Sequence, residues 1–253
     1  TTGANNTGLG YRALYLNTTG ADNTAVGKGA LTANTTGASN TVVGGSAGAA
    51  ITTGIRNVCI GQKACNDTVL LTTGGGNVVI GYEARTAAAG TSNTIVMGNN
   101  VTGQADDNFT FGTGATDSNI AFGATSITAP SDVRLKEDIQ DEEVGLGFIN
   151  DLRPVTFQWK KEKDIPEEMK AHVAGSEKRT MNGKHNHGFI AQEVKAVIDN
   201  HNMKDGFDMW TEDGADGRQR IGDASLMPIM VKALQELSEK NDALEARLAA
   251  LEA

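Results

Sequence analysis

The sequence predicts two unlike parts: an N-terminal all-β repeat and a C-terminal α+β domain that ends in a coiled coil. Three observations lead to this fold class: a short motif that recurs through the first half, an abrupt change of composition at Pro130 and Ser131, and a heptad pattern in the last segment. Residues before this seam are rich in Gly, Thr, Asn and Ala, whereas those after it are charged and include both Trp residues. Such a change typically joins two domains, here residues 1–130 and 131–253.

The repeat of the first half is a short β-prone run that begins with Asn and closes with Gly. The first four copies are 17 residues apart, and the spacing shortens toward the seam. The copies occupy residues 6–10, 23–27, 40–44, 57–61, 77–81, 93–98, 108–112 and 119–123. Asn and Gly tolerate positive φ, so we expect both to form a corner that recurs at every turn.

A repeat of this length cannot bury its own apolar face and must stack on its neighbours, which predicts a β-solenoid. The first half has few large apolar side chains for a monomeric core. A rod-like homotrimer, with side chains meeting on its axis, would solve this problem. The unit also resembles the Asn-x-x-x-Gly repeat in the head of trimeric bacterial adhesins, which forms a β-roll.

Other functions of the repeat are less well supported by the residue pattern. Calcium-binding repeats need closely spaced Asp, whereas the Asp residues here are scattered: Asp22, Asp67, Asp106, Asp107 and Asp117. The aromatic residues form no evident sugar platform: Tyr11, Tyr15, Tyr82, Phe109, Phe111 and Phe122. We expect Cys59 and Cys65 to be small buried residues rather than a bonded or metal-binding pair.

The whole chain carries a net charge of −9, which argues against a nucleic-acid backbone as a partner. It contains no apolar run near 18 residues, so we expect no membrane insertion. The chain begins inside a repeat, and we therefore expect it to be part of a longer protein.

The second half alternates predicted strands and helices. We expect an extended entry at residues 131–139, a strand at 152–159, an exposed charged excursion at 160–186, and a strand at 185–190 that leads into a helix from Ala191. Residues 207–210 and 217–221 predict a hairpin with its turn at Asp213 and Gly214. His185 and His187 would share one strand face, but no third ligand is evident, so we expect structural histidines and no metal.

The last segment, about residues 226–252, predicts a coiled coil of about four heptads. Met227, Leu234, Asn241 and Leu248 fall at position a, and Met230, Leu237, Leu244 and Leu251 fall at position d. Asn241 is a polar residue at a, which can fix register and oligomer state at some cost in stability. An amphipathic helix packed on its own domain is the alternative, and the pattern alone does not choose between a dimer and a trimer.

Three blocks of the second half resemble one known family. They are Ser-Asp-x-Arg-Leu-Lys-x-x-Ile from Ser131, Gly-Phe-Ile-Ala-Gln-Glu-Val from Gly188, and the segment 226–237. In this order they resemble the C-terminal intramolecular chaperone domain of phage tailspikes and tail fibres, also known as the S74 peptidases and typified by endosialidase tailspikes. The resemblance implies a homotrimer whose helix assembles through Met230, Leu234, Leu237, Asn241, Leu244 and Leu248. It also implies long protruding arms, which the excursion would supply.

The resemblance further implies self-cleavage of the Pro130–Ser131 bond. A serine hydroxyl needs a base, and Lys136 can serve only if neutral, although a free lysine has a pKa of about 10.4. Five extended residues span about 17 Å, so either the backbone bends or Lys136 of a neighbouring chain acts. Asp132, Arg134 and Gln192 occupy motif positions and are assigned supporting roles.

The sequence thus predicts the C-terminal part of a homotrimeric phage tail fibre or spike, carried on the virion and assembled in the host cytoplasm. A host glycan or receptor would bind the shaft or an upstream domain, and no cofactor is expected. One rival is a structural adhesin with a permanent, uncleaved trimerisation cap. A glycan hydrolase would need paired acids in a groove, and acidic residues are sparse in the shaft.

Overall fold

The computed structural model describes residues 2–114, 116–124, 126–203, 207–213 and 216–252. The chain divides into two compact units, Thr1–Glu137 and Asp138–Ala253, which are described separately. The assignment of residues 1–130 to a shaft and 131–253 to a chaperone domain stays a prediction.

The first unit is a β-solenoid, as the repeat predicts. Its eight strands are hydrogen-bonded in chain order, parallel from the first to the seventh, while the eighth pairs antiparallel with the seventh. They are β1 Thr7–Leu9, β2 Thr24–Val26, β3 Thr41–Val43, β4 Val58–Ile60, β5 Val78–Ile80, β6 Ile95–Asn99, β7 Asn108–Thr113 and β8 Thr116–Ala121. The Asn-to-Gly spacing sets the register, because each repeat places its strand beside the equivalent residues of the next.

The second residue of each strand from β2 to β6 points into the solenoid. Ala25, Val42, Cys59, Val79 and Val96 are fully buried, and Leu31, Ile51 and Leu71 from the connecting segments fill the interior with them. In these strands the first and third residues consequently point outward, since side chains alternate along a strand.

The closing Gly of the repeat takes the expected positive φ, as at Gly44, but among the Asn residues that begin the copies only Asn93 does. Positive φ falls one residue earlier, for example at Ser39 and Arg56. The Asn itself is buried and joins a ladder: Asn57 Nδ2 donates to Asn40 Oδ1 (3.1 Å) and to the Gly74 carbonyl (2.9 Å). Asn is therefore required at this position for hydrogen bonding between turns rather than for backbone freedom.

The expectation that Cys59 and Cys65 are unbonded is wrong, because a disulfide joins them. Cys59 is the inward residue of β4. Cys65 lies six residues further on, in the segment that connects β4 to β5, and has a φ of 60°. This left-handed residue brings the two Cα atoms to 5.9 Å, within the range a disulfide spans. The pair closes one corner of the solenoid interior.

In its described residues, the second unit contains three α-helices and two small antiparallel sheets. Its elements are α1 Leu146–Asp151, β9 Val155–Phe157, β10 Asn186–Gly188, α2 Ala191–Asn200, β11 Trp210–Glu212, β12 Gln219–Ile221 and α3 Leu226–Glu252. β9 pairs with β10, and β11 pairs with β12. Phe148, Leu152, Val194, Met209 and Ile229 form the core. Gly214 of the predicted hairpin turn lies outside the described residues.

Residues 160–186 are largely irregular and exposed, as the charge pattern indicates. A 3₁₀ turn at Glu162–Asp164 and a bridge between Lys161 and Arg179 fold the segment back on itself. Glu177 hydrogen-bonds with Lys161 (2.5 Å) and Lys163. These two ammonium groups lower the pKa of Glu177 to about 2, so charge pairing shapes this excursion.

Candidate functional site

Residues 131–136 contain a tight turn, so the expectation of a strand or extended segment over residues 131–139 is wrong at this point. A 3₁₀ turn spans Val133–Leu135, and Asp132 caps it because its Oδ1 accepts from the Arg134 backbone N–H at 2.9 Å. The Lys136 N–H donates to the Val133 carbonyl at 3.2 Å. Short polar residues such as Asp favour such turns by bonding their own backbone two residues on.

The turn brings together the two residues that were assigned to catalysis. Lys136 Nζ lies 2.7 Å from Ser131 Oγ within the same chain. The sequence left open whether the backbone bends or a neighbouring chain supplies the lysine, and here the backbone bends. A hydroxyl within hydrogen-bond reach of an amine has the geometry that a nucleophile and its base need. Their roles in cleavage stay predictions.

Asp132 and Arg134 hold the turn through an ion pair. Arg134 Nε donates to Asp132 Oδ1 at 3.0 Å, and Arg134 Nη2 donates to Asp132 Oδ2 at 2.5 Å. The side-chain hydrogen bonds from Arg134, followed by its backbone N–H, lower the pKa of Asp132. Such a two-point pairing fixes geometry as well as charge, which fits a supporting role beside Ser131.

A cavity of about 390 Å³ lies beside the bond that is proposed to break. It is lined by Thr116, Asp117, Ser118, Ala129, Pro130 and Leu135. Asp117 Oδ1 is buried and has no hydrogen-bond partner within the part of the chain that the structure describes. The last hairpin of the solenoid thus forms one wall next to Pro130, a feature that the sequence analysis missed.

The candidate segment is exposed in the single chain. Every residue from 131 to 140 is exposed, including the apolar side chains of Val133, Leu135 and Ile139, each about two thirds exposed. Burying a side chain of this kind stabilises an assembly by about 1.5–3 kcal/mol. Exposed apolar side chains such as Val133 and Leu135, which lie between Ser131 and Lys136 in the sequence, are the kind of surface that association covers.

Gln192, the remaining motif residue, lies on α2 in the second unit, where its side chain is exposed. Its neighbour Glu193 pairs with Arg153 Nη2 at 2.5 Å, and Val194 enters the core. The supporting role assigned to Gln192 stays a prediction.

Helix α3 presents two different faces. Ile229 and Ala233 are buried in the second unit, and Glu236 Oε2 accepts from the Leu146 N–H at 2.9 Å, near the start of α1. The predicted trimerisation residues are exposed instead: Met230, Leu234, Leu237, Asn241, Leu244 and Leu248. The packed-helix alternative thus applies to one face, while the a and d side chains of the other face are exposed.

Among the described residues, none of the helices combines the length and the hydropathy that a membrane span requires.

Comparison with known families places this segment in context. Residues 131–203 match the family model Peptidase_S74, described as chaperone of endosialidase. The match begins at Ser131 and supports a phage tail protein with an S74 chaperone domain. No curated protein and no solved structure matches the chain.

Proposed function

We propose that this chain is the C-terminal part of a homotrimeric phage tail fibre or spike. Its C-terminal domain drives trimerisation and folding of the shaft and then releases itself by cutting Pro130–Ser131. The observation that carries this proposal is the 2.7 Å contact between Lys136 Nζ and Ser131 Oγ, in the segment where the family match begins.

The reaction follows from the chemistry of the two side chains. Ser131 Oγ attacks the Pro130 carbonyl carbon while a neutral Lys136 amine takes the hydroxyl proton. The C–N bond then breaks, the Ser131 nitrogen receives that proton, and Pro130 becomes an ester on Ser131 Oγ. Water hydrolyses the ester and leaves a Pro130 carboxylate and a free Ser131. Each step is ordinary nucleophilic catalysis with an adjacent base.

Trimer assembly triggers the cleavage of the Pro130–Ser131 bond. Only a neutral lysine can accept the proton, and desolvation favours the neutral form of an amine. Val133 and Leu135 are exposed beside Ser131 and Lys136 in the single chain. Chains that cover these apolar side chains also remove water from Lys136, so cleavage follows correct trimer formation.

The order of folding has a physical reason. Parallel pairing of β-strands is slow because loops must close before contacts form. A coiled coil through α3 holds the chains together and raises their local concentration while the shaft assembles. Removing the domain afterwards leaves a shaft that unfolds slowly and cannot easily reassemble, which is kinetic stability.

The test is a time course of freshly expressed full chain on a denaturing gel. Wild type is compared with Ser131→Ala, Lys136→Ala and Lys136→Arg. Arginine keeps the positive charge and can donate to Ser131 Oγ, but it stays protonated and cannot be the base. We expect all three variants to remain whole.

Cleavage of Lys136→Arg at the wild-type rate would assign Lys136 a structural role and contradict the mechanism. A wild-type trimer that stays whole would favour the rival reading, a non-cleaving adhesin with a permanent C-terminal cap.

A further inference from the structure

The outward face of β1–β7 consists of the first and third residue of each triplet that the register aligns. We propose that copies of the shaft meet one another through this outward face, an inference that rests on the proposed homotrimer. The third-position row is Leu9, Val26, Val43, Ile60, Ile80, Met97 and Phe111, each paired in register with the next.

Apolar side chains on this face are open to solvent. Leu9 is 66% exposed, Met97 42%, and Val43 and Ile60 37% each. From β4 onward the first-position row is apolar too, with Val58, Val78, Ile95 and Phe109. The face therefore becomes a continuous apolar strip toward the C-terminal end of the solenoid, where Phe109 and Phe111 lie 5.0 Å apart.

This face differs from the other sides of the solenoid because it carries no charged residues. None of the strands β1–β7, over the ranges given above, contains Asp, Glu, Lys or Arg. Charged groups lie on the turns instead, where Lys63 pairs with Glu83 at 2.7 Å and Arg85 with Asp67 at 3.0 Å. An uncharged apolar strip suits an equally uncharged partner, and an anionic polymer would gain nothing from it.

The repeat itself identifies that partner as a copy of this chain. Adjacent strands lie about 4.8 Å apart, so the apolar residues recur at a fixed interval along the shaft. An identical row in the same register matches this interval at every turn. A partner without the repeat would leave most of these side chains exposed.

The small area of this face explains why another part of the chain must hold the copies together. Six strand spacings of about 4.8 Å and three residues of about 3.4 Å give a strip of about 300 Å². Stable interfaces bury about 800 Å² on each partner. The accessible surface of the strip exceeds this projected area, but over these seven strands it still falls short of a stable interface and does not associate on its own. It closes only when α3, with its exposed a and d stripe, already holds the chains together.

Site-specific photo-crosslinking tests the inference in the full chain carrying Ser131→Ala, which keeps the two units joined. The photoreactive residue p-benzoylphenylalanine replaces Ile60 or Met97 in the test variants. The control is Ile55, which is equally exposed at 42% but lies in the loop before β4. We expect covalent dimers and trimers from positions 60 and 97, and none from position 55.

The outcomes separate this inference from the proposed function. A trimeric mass with crosslinks at position 55 and none at 60 or 97 overturns the inference and leaves the homotrimer standing. A monomeric mass overturns the homotrimer as well.

Ile60→Lys provides a second reading. Its circular dichroism should match wild type because the side chain points outward. We expect a closed wild-type shaft to give a trimer band that survives detergent, and this band should disappear in the variant. Ile55→Lys should keep that band, and equal behaviour of the two variants contradicts the inference.

Discussion

Replacing Gly44 with alanine tests how the turns of the solenoid stack. Gly44 has a φ of 137°, a conformation that costs an L-residue about 1–3 kcal/mol. An added Cβ would also lie 2.4 Å from the Gly61 carbonyl oxygen and 2.6 Å from its carbon. Both are backbone atoms, so relief requires the turns to separate.

The magnitude follows from these two costs. Separation breaks the hydrogen bond from the Gly61 N–H to the Val43 carbonyl, now 2.8 Å, and strains its neighbours at about 1 kcal/mol each. Together with the backbone cost we expect Gly44→Ala to lower the free energy of unfolding by about 4 kcal/mol.

The adjacent residue is a matched control. At Gly45 the nearest atom to an added Cβ is Gln62 Cγ at 4.0 Å, an ordinary contact. Gly45→Ala should therefore be neutral or stabilise by about 0.4–1 kcal/mol, because alanine reduces the entropy of the unfolded chain. Urea unfolding followed by circular dichroism, at equal protein concentration because association shifts stability, measures both. Equal midpoints for the two variants would refute the stacking described above.

Three further changes test other parts of the structure. Asn57→Ala removes buried hydrogen bonds to both neighbouring turns and should lower the free energy of unfolding by about 3 kcal/mol. Thr41→Ala, at an exposed position, should leave the urea unfolding midpoint almost unchanged. Lys161 and Lys163 lower the pKa of Glu177 to about 2, so its stabilising contribution is present above its usual pKa of 4.5 and is lost as the pH falls from 4.5 to about 2. Carboxyl NMR should show a pKa of about 2 for Glu177, and Lys163→Ala should raise that pKa. Asn241→Leu should raise the thermal stability of the α3 assembly and broaden its oligomer distribution, seen by native mass spectrometry.

The strand register could be predicted from the sequence because it depends only on the spacing of the repeats. From the first run to the seventh, each Asn-to-Gly run became a strand beside its equivalent in the next repeat, as between Thr41 and Val58. The 17-residue separation forces this alignment, since a shift by one residue would turn Val42 outward. The same alternation identifies which residues fill the solenoid.

Features that depend on single backbone angles were not accessible from spacing. The disulfide requires Cys65 to adopt a left-handed conformation, which a cysteine does not indicate by its type, although Gly48 takes the same conformation at the equivalent position one repeat earlier. The antiparallel β8 breaks the repeat, so the cavity wall at Asp117 had no signal in the sequence.

The turn at Val133–Leu135 did have a signal, since Asp132 two residues before Arg134 suits a side-chain cap. Because an extended segment of this length spans about 17 Å, the sequence left two alternatives open, a bent backbone or a lysine from a neighbouring chain, and this cap favours the first.

Intact mass spectrometry of the wild-type chain, purified as a native trimer, tests the self-release most directly. We predict two products, one ending at Pro130 and one beginning at Ser131, with no such products from Ser131→Ala. Cleavage at another bond, or a wild-type trimer that keeps its full mass, would contradict self-release by Ser131 and Lys136.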